Sequence, residues 1–255
     1  MAVMGVEIHN HYSVLPVIAA VTWFVTLLVL LITWLATGRP HYASQEGSIA
    51  FISDVGADFL KPLFVIGAGI TSAFFILTLV AERSLSHQRR LLPAQRRSER
   101  ILSYSAIGGA TLGGLGLFLL SICDTMRFVT LHRVFLFVFM LGVALSAIFT
   151  VIEFRLLSHS YKDYTILRRS YVAKGSIAAL LVALAIVFSV MLSRRNLAGL
   201  DAAGVIEWVI GFGFNLYLLT FWYDLRLAAP RNEIHKELNE GGVAAHVMRK
   251  DPLPV

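Results

Sequence analysis

Six long apolar stretches, separated by short polar segments, constrain this chain more than any other feature. They lie at residues 14–37, 62–81, 101–123, 134–152, 175–192 and 204–223. At 1.5 Å per residue even the shortest, with 18 residues, would cover about 27 Å as a helix, close to the hydrocarbon thickness of a bilayer. Main-chain amides in lipid must bond within their own segment, so each stretch is predicted to be a transmembrane helix. We therefore expect an all-α, polytopic six-helix bundle.

The polar segments between and after these stretches are too short to form a catalytic domain. The longest, residues 224–255, has 32 residues, and chains below about 40 residues rarely fold alone. We expect one membrane domain over residues 1–230 and a disordered tail over residues 231–255. The single cysteine, Cys123, excludes an internal disulfide and a cysteine-based metal site.

Basic residues are distributed unevenly between the two sides of the predicted bundle. Sixteen of the 22 lysines and arginines lie in the second loop, the fourth loop and the tail, against six on the other side. The positive-inside rule then places both termini and these loops in the cytoplasm. The net charge of +6 does not indicate nucleic-acid binding, because each arginine cluster adjoins a membrane span and no basic helix carries interleaved aromatic residues.

The second loop, residues 82–100, carries the clearest partner-binding feature. Its arginines include two pairs, Arg89 with Arg90 and Arg96 with Arg97. Four to eight basic residues beside a span attract anionic lipid, at roughly 1 kcal/mol each near the surface, and paired arginines suit the several phosphates of a phosphoinositide. The alternative is that these charges only determine topology, for which a few of them suffice.

Polar residues on the predicted external side form a second candidate site, made of Asp54, Asp58, Asp124, His132 and Glu207. A histidine with several carboxylates can hold a metal or perform acid–base hydrolysis of a lipid head group. The alternative is structural: Asp54 caps or orders the first loop, and His132 bonds the turn before the fourth span. We assign no catalytic residue, no metal and no cofactor.

The last span carries polar groups inside the membrane. Glu207, Gly211 and Asn215 fall on one stripe of this helix, which would face the protein interior. Intramembrane polar groups are functional candidates by default. The alternative is that Glu207 pairs with a loop residue and Asn215 bonds across helices.

Small residues and tryptophans indicate how the spans are arranged. Gly109 and Gly113 of the third span form a small-xxx-small face, which predicts tight packing with the second and fourth spans, whereas homodimerisation through this face is the alternative. The ten-residue third loop and eleven-residue fifth loop make their flanking helices antiparallel neighbours. All four tryptophans, including Trp208 and Trp222, are expected at the membrane interfaces. The apolar run at residues 49–52 suggests that the first loop lies against the bundle.

Short motifs in a fixed order resemble the Frag/DRAM/Sfk family, also described by its CWH-type N-terminal domain. They are Ile52-Ser53-Asp54-Val55-Gly56 before the second span, His132 at the start of the fourth, and Glu207-Trp208 opening and Phe221-Trp222-Tyr223-Asp224 closing the sixth. The last-span pattern is most similar to fungal Sfk-like and DRAM-like members. The resemblance implies a six-span fold and a role in membrane-lipid homeostasis. It makes Ser53, Asp54, Gly56, Asp124, His132, Glu207 and Trp208 family landmarks rather than an assigned active site.

The resemblance implies several functions, among which we favour a non-enzymatic regulator. Sfk-like members support recruitment of a phosphatidylinositol 4-kinase, DRAM-like members modulate autophagy, and another branch remodels the lipid of GPI anchors. We expect a regulator or scaffold for phosphoinositide signalling or membrane-lipid organisation, in the plasma membrane or an endomembrane. Its expected partners are membrane lipids, including phosphoinositides, and a membrane-protein or lipid-kinase complex, with no nucleic acid. The alternatives are a GPI-lipid remodelling factor and a lipid or small-solute transporter.

Overall fold

The structure is a computed structural model that describes residues 2–88, 97–160, 165–194 and 196–226. Side chains are described for residues 12–88, 97–158, 170–194 and 196–226. The predicted tail at 231–255 and three of the four paired arginines of the second loop, Arg89, Arg90 and Arg96, lie outside the described residues. Arg97 is the first residue of a helix and is exposed.

The described chain is helical, with one short and six long helices. They are α1 (Ala2–Ala36), α2 (Ile52–Ala57), α3 (Lys61–His87), α4 (Arg97–Ile122), α5 (Val129–Ser160), α6 (Thr165–Ser193) and α7 (Leu197–Leu225). The six long helices are each long and apolar enough to cross a membrane, which confirms the all-α, six-span prediction.

The long helices extend beyond the predicted spans at the end of the bundle where α3 finishes, which we call the loop-two end. There α3 continues from residue 81 to His87, α5 from residue 152 to Ser160, and α6 begins at Thr165 rather than at residue 175. Charged residues that the hydropathy pattern assigns to loops therefore lie within helices. The opposite end, where residues 37–60 join α1 to α3, we call the loop-one end.

The six long helices form a closed ring in the order α1, α3, α4, α5, α6 and α7, because each of them contacts its two neighbours. The predicted antiparallel pairs, α4 with α5 and α6 with α7, are confirmed as neighbours. Aromatic side chains fill the centre: Phe75 of α3 packs edge-on against Phe214, Tyr217 and Phe221 of α7, with ring centroids 5.6 to 6.4 Å apart. The core is thus centred on the last span.

The glycines of α4 bring its main chain against that of α5. A Cβ atom added at Gly109 would lie 2.7 Å from the nitrogen of Ser146, and one at Gly113 would lie 2.8 Å from the nitrogen of Val143. Only glycine permits so close an approach, because a methyl group would collide with the opposing backbone. Since α4 also contacts α3, the predicted packing of these three helices is confirmed. The face is occupied within the bundle rather than available to a second copy.

Three of the four tryptophans contradict the interfacial expectation. Trp23, Trp34 and Trp208 are 3%, 6% and 7% exposed and belong to the core. Two of them find acceptors inside the bundle, which removes the cost of burying an indole N–H: Trp23 Nε1 donates to the carbonyl of Gly211 at 3.1 Å, and Trp208 Nε1 to that of Ala50 at 2.9 Å. Trp222 is exposed at the end of α7, with the guanidinium of Arg226 4.7 Å from its ring.

Candidate functional site

The first loop folds back into the loop-one end of the ring through α2. This helix contacts α1, α3, α4 and α7, and Ala50, Ile52 and Val55 are buried. The predicted packing of this loop against the bundle is confirmed. Gly56 is required here because a Cβ atom at this position would lie 2.7 Å from the ring of Phe64.

Asp54 orders the start of α2. Its Oδ1 accepts a hydrogen bond from the Ser44 hydroxyl at 2.6 Å, and its Oδ2 accepts one from the main-chain nitrogen of Phe51 at 3.1 Å. Burial raises the pKa of this carboxyl group above its ordinary value, although both hydrogen bonds oppose the rise. The predicted capping role of Asp54 is confirmed. Asp58 ends α2 at its C-cap instead of joining this network.

Three side chains of α7 attach the first loop to the bundle. Glu207 Oε2 accepts from the main-chain nitrogen of Ile52 at 2.8 Å, and Asp201 Oδ1 accepts from that of Ile49 at 3.1 Å. The indole of Trp208 donates to Ala50, as described above. These contacts join residues more than 150 positions apart in sequence. The expected pairing of Glu207 with a loop residue is therefore confirmed.

His132 connects the beginning of α5 to the end of α4. Its Nδ1 lies 2.9 Å from both the Leu120 and the Cys123 carbonyl oxygens. Carbonyl oxygens only accept hydrogen bonds, so Nδ1 must carry the proton. The ring is 3% exposed. The prediction that His132 bonds the turn before the fourth span is confirmed.

Asp124 closes the same turn from the other side. Its Oδ1 accepts from the main-chain nitrogens of Met126 and Arg127, at 3.0 and 2.7 Å, and its Oδ2 forms an ion pair with the ammonium of Lys61. Burial alone would raise the pKa of Asp124, but the hydrogen bond from Lys61 and those from the main chain outweigh it and lower the pKa below its ordinary value. The acid is therefore ionised at neutral pH.

Four of the predicted site residues line one cavity of about 300 Å³ at the loop-one end: Ser53, Asp54, His132 and Glu207. Ser44, Thr125 and Arg133 add polar surface, and Phe188 of α6 adds an apolar wall. Asp124, Gly56 and Trp208 do not line it. Within the described part of the chain no three histidine, cysteine or acidic residues are grouped to hold a metal ion. That these residues act on a ligand stays a prediction.

The stripe on α7 is buried as the sequence predicts, but Asn215 does not bond across helices. Glu207, Gly211 and Asn215 all face the interior. The amide nitrogen of Asn215 donates to the Gly211 carbonyl one turn earlier, at 3.4 Å, so the expected interhelical bond is wrong. The same carbonyl also accepts a hydrogen bond from the indole of Trp23.

A second polar centre, which sequence reasoning missed, lies at the loop-two end. Lys174 of α6 is 0% exposed, and its ammonium lies 2.6 Å from Asp224 of α7 and 3.7 Å from Glu82 of α3. Ser170 donates a hydrogen bond to the other oxygen of Asp224. The rings of Phe154 and Phe221 flank the ammonium, with centroids 4.2 and 3.8 Å away.

More charges surround this pair. Glu153 of α5, 8% exposed, bonds Ser103 of α4 and interacts electrostatically with Glu82, Arg83 and Lys174. The guanidinium of Arg83 lies 5.1 Å from the ring of Tyr104. Five of the six long helices thus meet here through ionisable or hydroxyl side chains. A usable signal existed in the sequence: Glu82, Glu153, Lys174 and Asp224 each directly adjoin a predicted span on the same side.

A ring of six apolar helices with a loop folded into one end defines a multi-pass integral membrane protein. The chain belongs to the family described as the Frag1/DRAM/Sfk1/Cwh43P N-terminal domain, whose sequence profile matches residues 11–228. This match confirms the resemblance seen in the motifs. No solved structure is significantly similar to the chain.

Two curated relatives carry the name of one branch of this family. The chain is 27% identical to Protein sfk1 of Schizosaccharomyces pombe over 247 residues, which cover 96% of this chain and 73% of the relative. It is 26% identical to Protein SFK1 of Saccharomyces cerevisiae over 181 residues, covering 60% of this chain and 51% of the relative. The chain therefore spans about half to three quarters of these relatives.

Proposed function

We propose that this protein is a non-catalytic regulator or scaffold of membrane-lipid homeostasis, acting in phosphoinositide signalling or membrane-lipid organisation. Family membership and the similarity to two Sfk1 proteins support this proposal. The membrane in which it acts is the plasma membrane or an endomembrane.

The observation that carries the non-catalytic part is how the loop-one cavity uses its polar groups. Asp54 and Glu207 accept hydrogen bonds from main-chain nitrogens, and His132 donates to main-chain carbonyls. Contacts of this kind with the protein's own backbone are what a structural role requires of buried polar groups. Their shared role is to hold the first loop and the α4–α5 turn in place.

The basic second loop supplies the proposed contact with anionic lipid or with a lipid-kinase complex. Arg97, the exposed first residue of α4, belongs to this set. Each arginine near an anionic surface adds roughly 1 kcal/mol, so the two pairs together form a strong electrostatic contact. Replacing Arg89, Arg90, Arg96 and Arg97 by glutamine in the full-length protein should lower cell-surface phosphatidylinositol 4-phosphate. Replacing Arg127, Arg133 and Arg194 at the other end is the control for general loss of charge.

Lipid analysis of cells that lack the protein tests the proposal directly. Loss of phosphatidylinositol 4-phosphate at the cell surface would support the regulator. Altered acyl or ceramide chains on GPI anchors would instead indicate a remodelling enzyme, and a normal lipid profile with defective uptake would indicate a transporter. Either of the last two results overturns the proposal.

Two variants of His132 distinguish a structural role of this residue from a role in acid–base chemistry. His132→Asn keeps an N–H near the Nδ1 position and removes the second ring nitrogen, so a structural histidine should be replaced with little loss of function. His132→Leu leaves two carbonyls without their donor and should lower the amount of protein. His132→Asn is expressed in cells that lack the protein. If its amount is normal but the lipid composition is not restored, the imidazole itself is chemically required.

A further inference from the structure

A long apolar groove runs between α1, α6 and α7, with a volume of about 1070 Å³. Its walls include Phe24 and Leu35 of α1, Leu180 of α6, and Val209 and Leu216 of α7. Each of these five side chains is more than two-fifths exposed, so the groove opens sideways out of the bundle. In a bilayer such an opening faces acyl chains rather than water.

The groove is long enough to hold an acyl chain from one leaflet. Its lining on α7 extends from Val205 to Leu219, which is about 21 Å along the helix at 1.5 Å per residue. One leaflet accounts for about half of the roughly 30 Å hydrocarbon thickness. A chain entering from the loop-one end would therefore lie within the groove over its whole length.

Among the described residues, Arg39 is the one charged residue that lines the groove, and it lies at the loop-one end. The turn after α1 fixes its position: Gly38 and Arg39 both have positive φ, 83° and 57°, and their nitrogens donate back to the carbonyls of Leu35 and Trp34 at 3.2 and 2.9 Å. This closes the helix with a Schellman-type turn. The guanidinium lies 6.0 Å from the centre of the Trp34 ring.

In the described part of the chain, the one contact of the Arg39 charge is that with the Trp34 ring. Within the described residues its guanidinium is in no ion pair with a carboxylate, unlike Lys61, Arg133 and Lys174. A guanidinium presents a fork of donors that matches a phosphate group. The Arg39 guanidinium lies at the end of an apolar groove and at the level where a span ends. A phospholipid in the groove would have its phosphate at this level.

We propose that the groove holds one phospholipid from the leaflet at the loop-one end, with an acyl chain between α1, α6 and α7 and its phosphate on Arg39. A single guanidinium recognises the phosphate and not the remainder of the head group. The site accordingly accepts phospholipids with different head groups and rejects lipids that lack a phosphate. It is separate from the polar cavity and from the basic second loop, so it goes beyond the function proposed above.

Photo-labelling of the full-length protein in phosphatidylcholine vesicles tests this site. The probes are a phosphatidylcholine with a diazirine in its acyl chain and a diacylglycerol with the same diazirine. The phosphatidylcholine should label residues of the groove in α1, α6 and α7, and the diacylglycerol should label them weakly. Equal labelling by both probes, or displacement of the phosphatidylcholine by a sterol, would refute a phosphate-directed site. So would a crosslinked dimer that places a second copy in the groove.

Four variants identify the groups responsible. Arg39→Gln should reduce labelling about tenfold, as expected for loss of one charge-assisted hydrogen-bonded contact, while Arg39→Lys should retain most of it. Leu216→Trp should block the groove, whereas Ile66→Trp, on the exposed face of α3, should not. Unchanged labelling in either Arg39→Gln or Leu216→Trp overturns the proposal, because each variant removes one of its two contacts. The readout is lipid binding by the purified protein. The outcome for this lipid site is therefore independent of the phosphoinositide measurement in cells.

Discussion

The ammonium of Lys174 lies 2.6 Å from a carboxylate oxygen of Asp224, and this contact joins α6 to α7 inside the bundle. Few residues of the α6 span are buried, only 6% of its most apolar window, so little of its apolar surface is packed against the bundle to fix its position. A buried ion pair gains little over an apolar pair in stability, but removing one partner leaves an uncompensated charge. The main role of Lys174 is therefore to fix the position of α6 against α7.

Replacing Lys174 by methionine should strongly destabilise the protein. The substitution leaves Asp224 and Glu82 buried without their cation, at a cost of about 3 to 5 kcal/mol. Thermal unfolding in detergent would measure the loss. Combining Lys174→Met with Asp224→Asn should recover part of it, because one of the two stranded acids is then neutral.

The surface pair of Arg133 and Glu46 provides the matched control for that experiment. Its side chains are 46% and 50% exposed, and exposed pairs contribute at most about 1 kcal/mol. Arg133→Met should thus be nearly neutral. Similar losses for Arg133→Met and Lys174→Met would show that burial of the α6 pair has no special consequence.

Gly113→Ala should destabilise the α4–α5 contact, whereas Gly108→Ala should not. A methyl group at Gly113 meets the backbone of Val143, but one at Gly108 has no atom within 4 Å. Overpacking costs typically about 1 to 3 kcal/mol, while alanine at an unhindered helical position is neutral or slightly stabilising. Comparing the two melting temperatures tests this, and a Gly113→Ala protein as stable as wild type would contradict the close packing. If the wild type were a dimer and Gly113→Leu gave a folded, monodisperse monomer, that result would instead favour dimerisation through this face.

Glu207→Gln should preserve the first loop, and Glu207→Leu should release it. Glutamine keeps an oxygen that accepts from the nitrogen of Ile52, whereas leucine leaves that nitrogen buried and unpaired, at about 1 to 3 kcal/mol. Limited proteolysis within residues 37–60 and thermal unfolding measure the difference. The exposed Glu46, replaced by leucine, serves as control. If Glu207 carried protons for a transporter, Glu207→Gln would abolish uptake while leaving the loop protected.

The link between Lys61 and Asp124 should weaken in acid. The folded-state pKa of Asp124 lies below its ordinary value of 3.8, so its stabilisation is complete above the unfolded-state pKa and is lost as the pH falls through the folded-state value. Asp124→Asn removes the ion pair but keeps an acceptor for the main chain. The stability difference between wild type and this variant, measured from about pH 7 down to about pH 3, should therefore shrink. A difference that stays constant, or grows in acid, would rule out this linkage.

Hydropathy and residue spacing predicted the architecture because lipid restricts the backbone so strongly. Apolar length identified all six spans, and short loops identified the neighbouring pairs. The stripe of Glu207 and Asn215 was correctly placed on the inner face of α7 because helical periodicity alone determines it. Asp54 and His132 were assigned their structural contacts from their positions beside a helix start and a turn.

The sequence could not show which charges are buried together. A hydropathy window ends at a charged residue, so Lys174 and Glu82 were assigned to loops although they continue their helices. Only the ring order of the helices brings Lys174 next to Asp224, 50 residues away in sequence. The prediction of interfacial tryptophans failed for a related reason. An indole can be buried in the core when an acceptor such as the Ala50 carbonyl is within reach, and sequence spacing does not reveal such an acceptor.

The backbone contact between α4 and α5 also limits how this family can diverge. Opposite Gly109, Gly113 and Gly116 the neighbouring helix leaves no volume for a side chain, so compensation by shrinking a partner residue is impossible where the partner is itself main chain. Relatives that share only about a quarter of their residues with this chain should still have glycine at these three positions. A branch of the family without these glycines should have its fourth and fifth helices spaced differently.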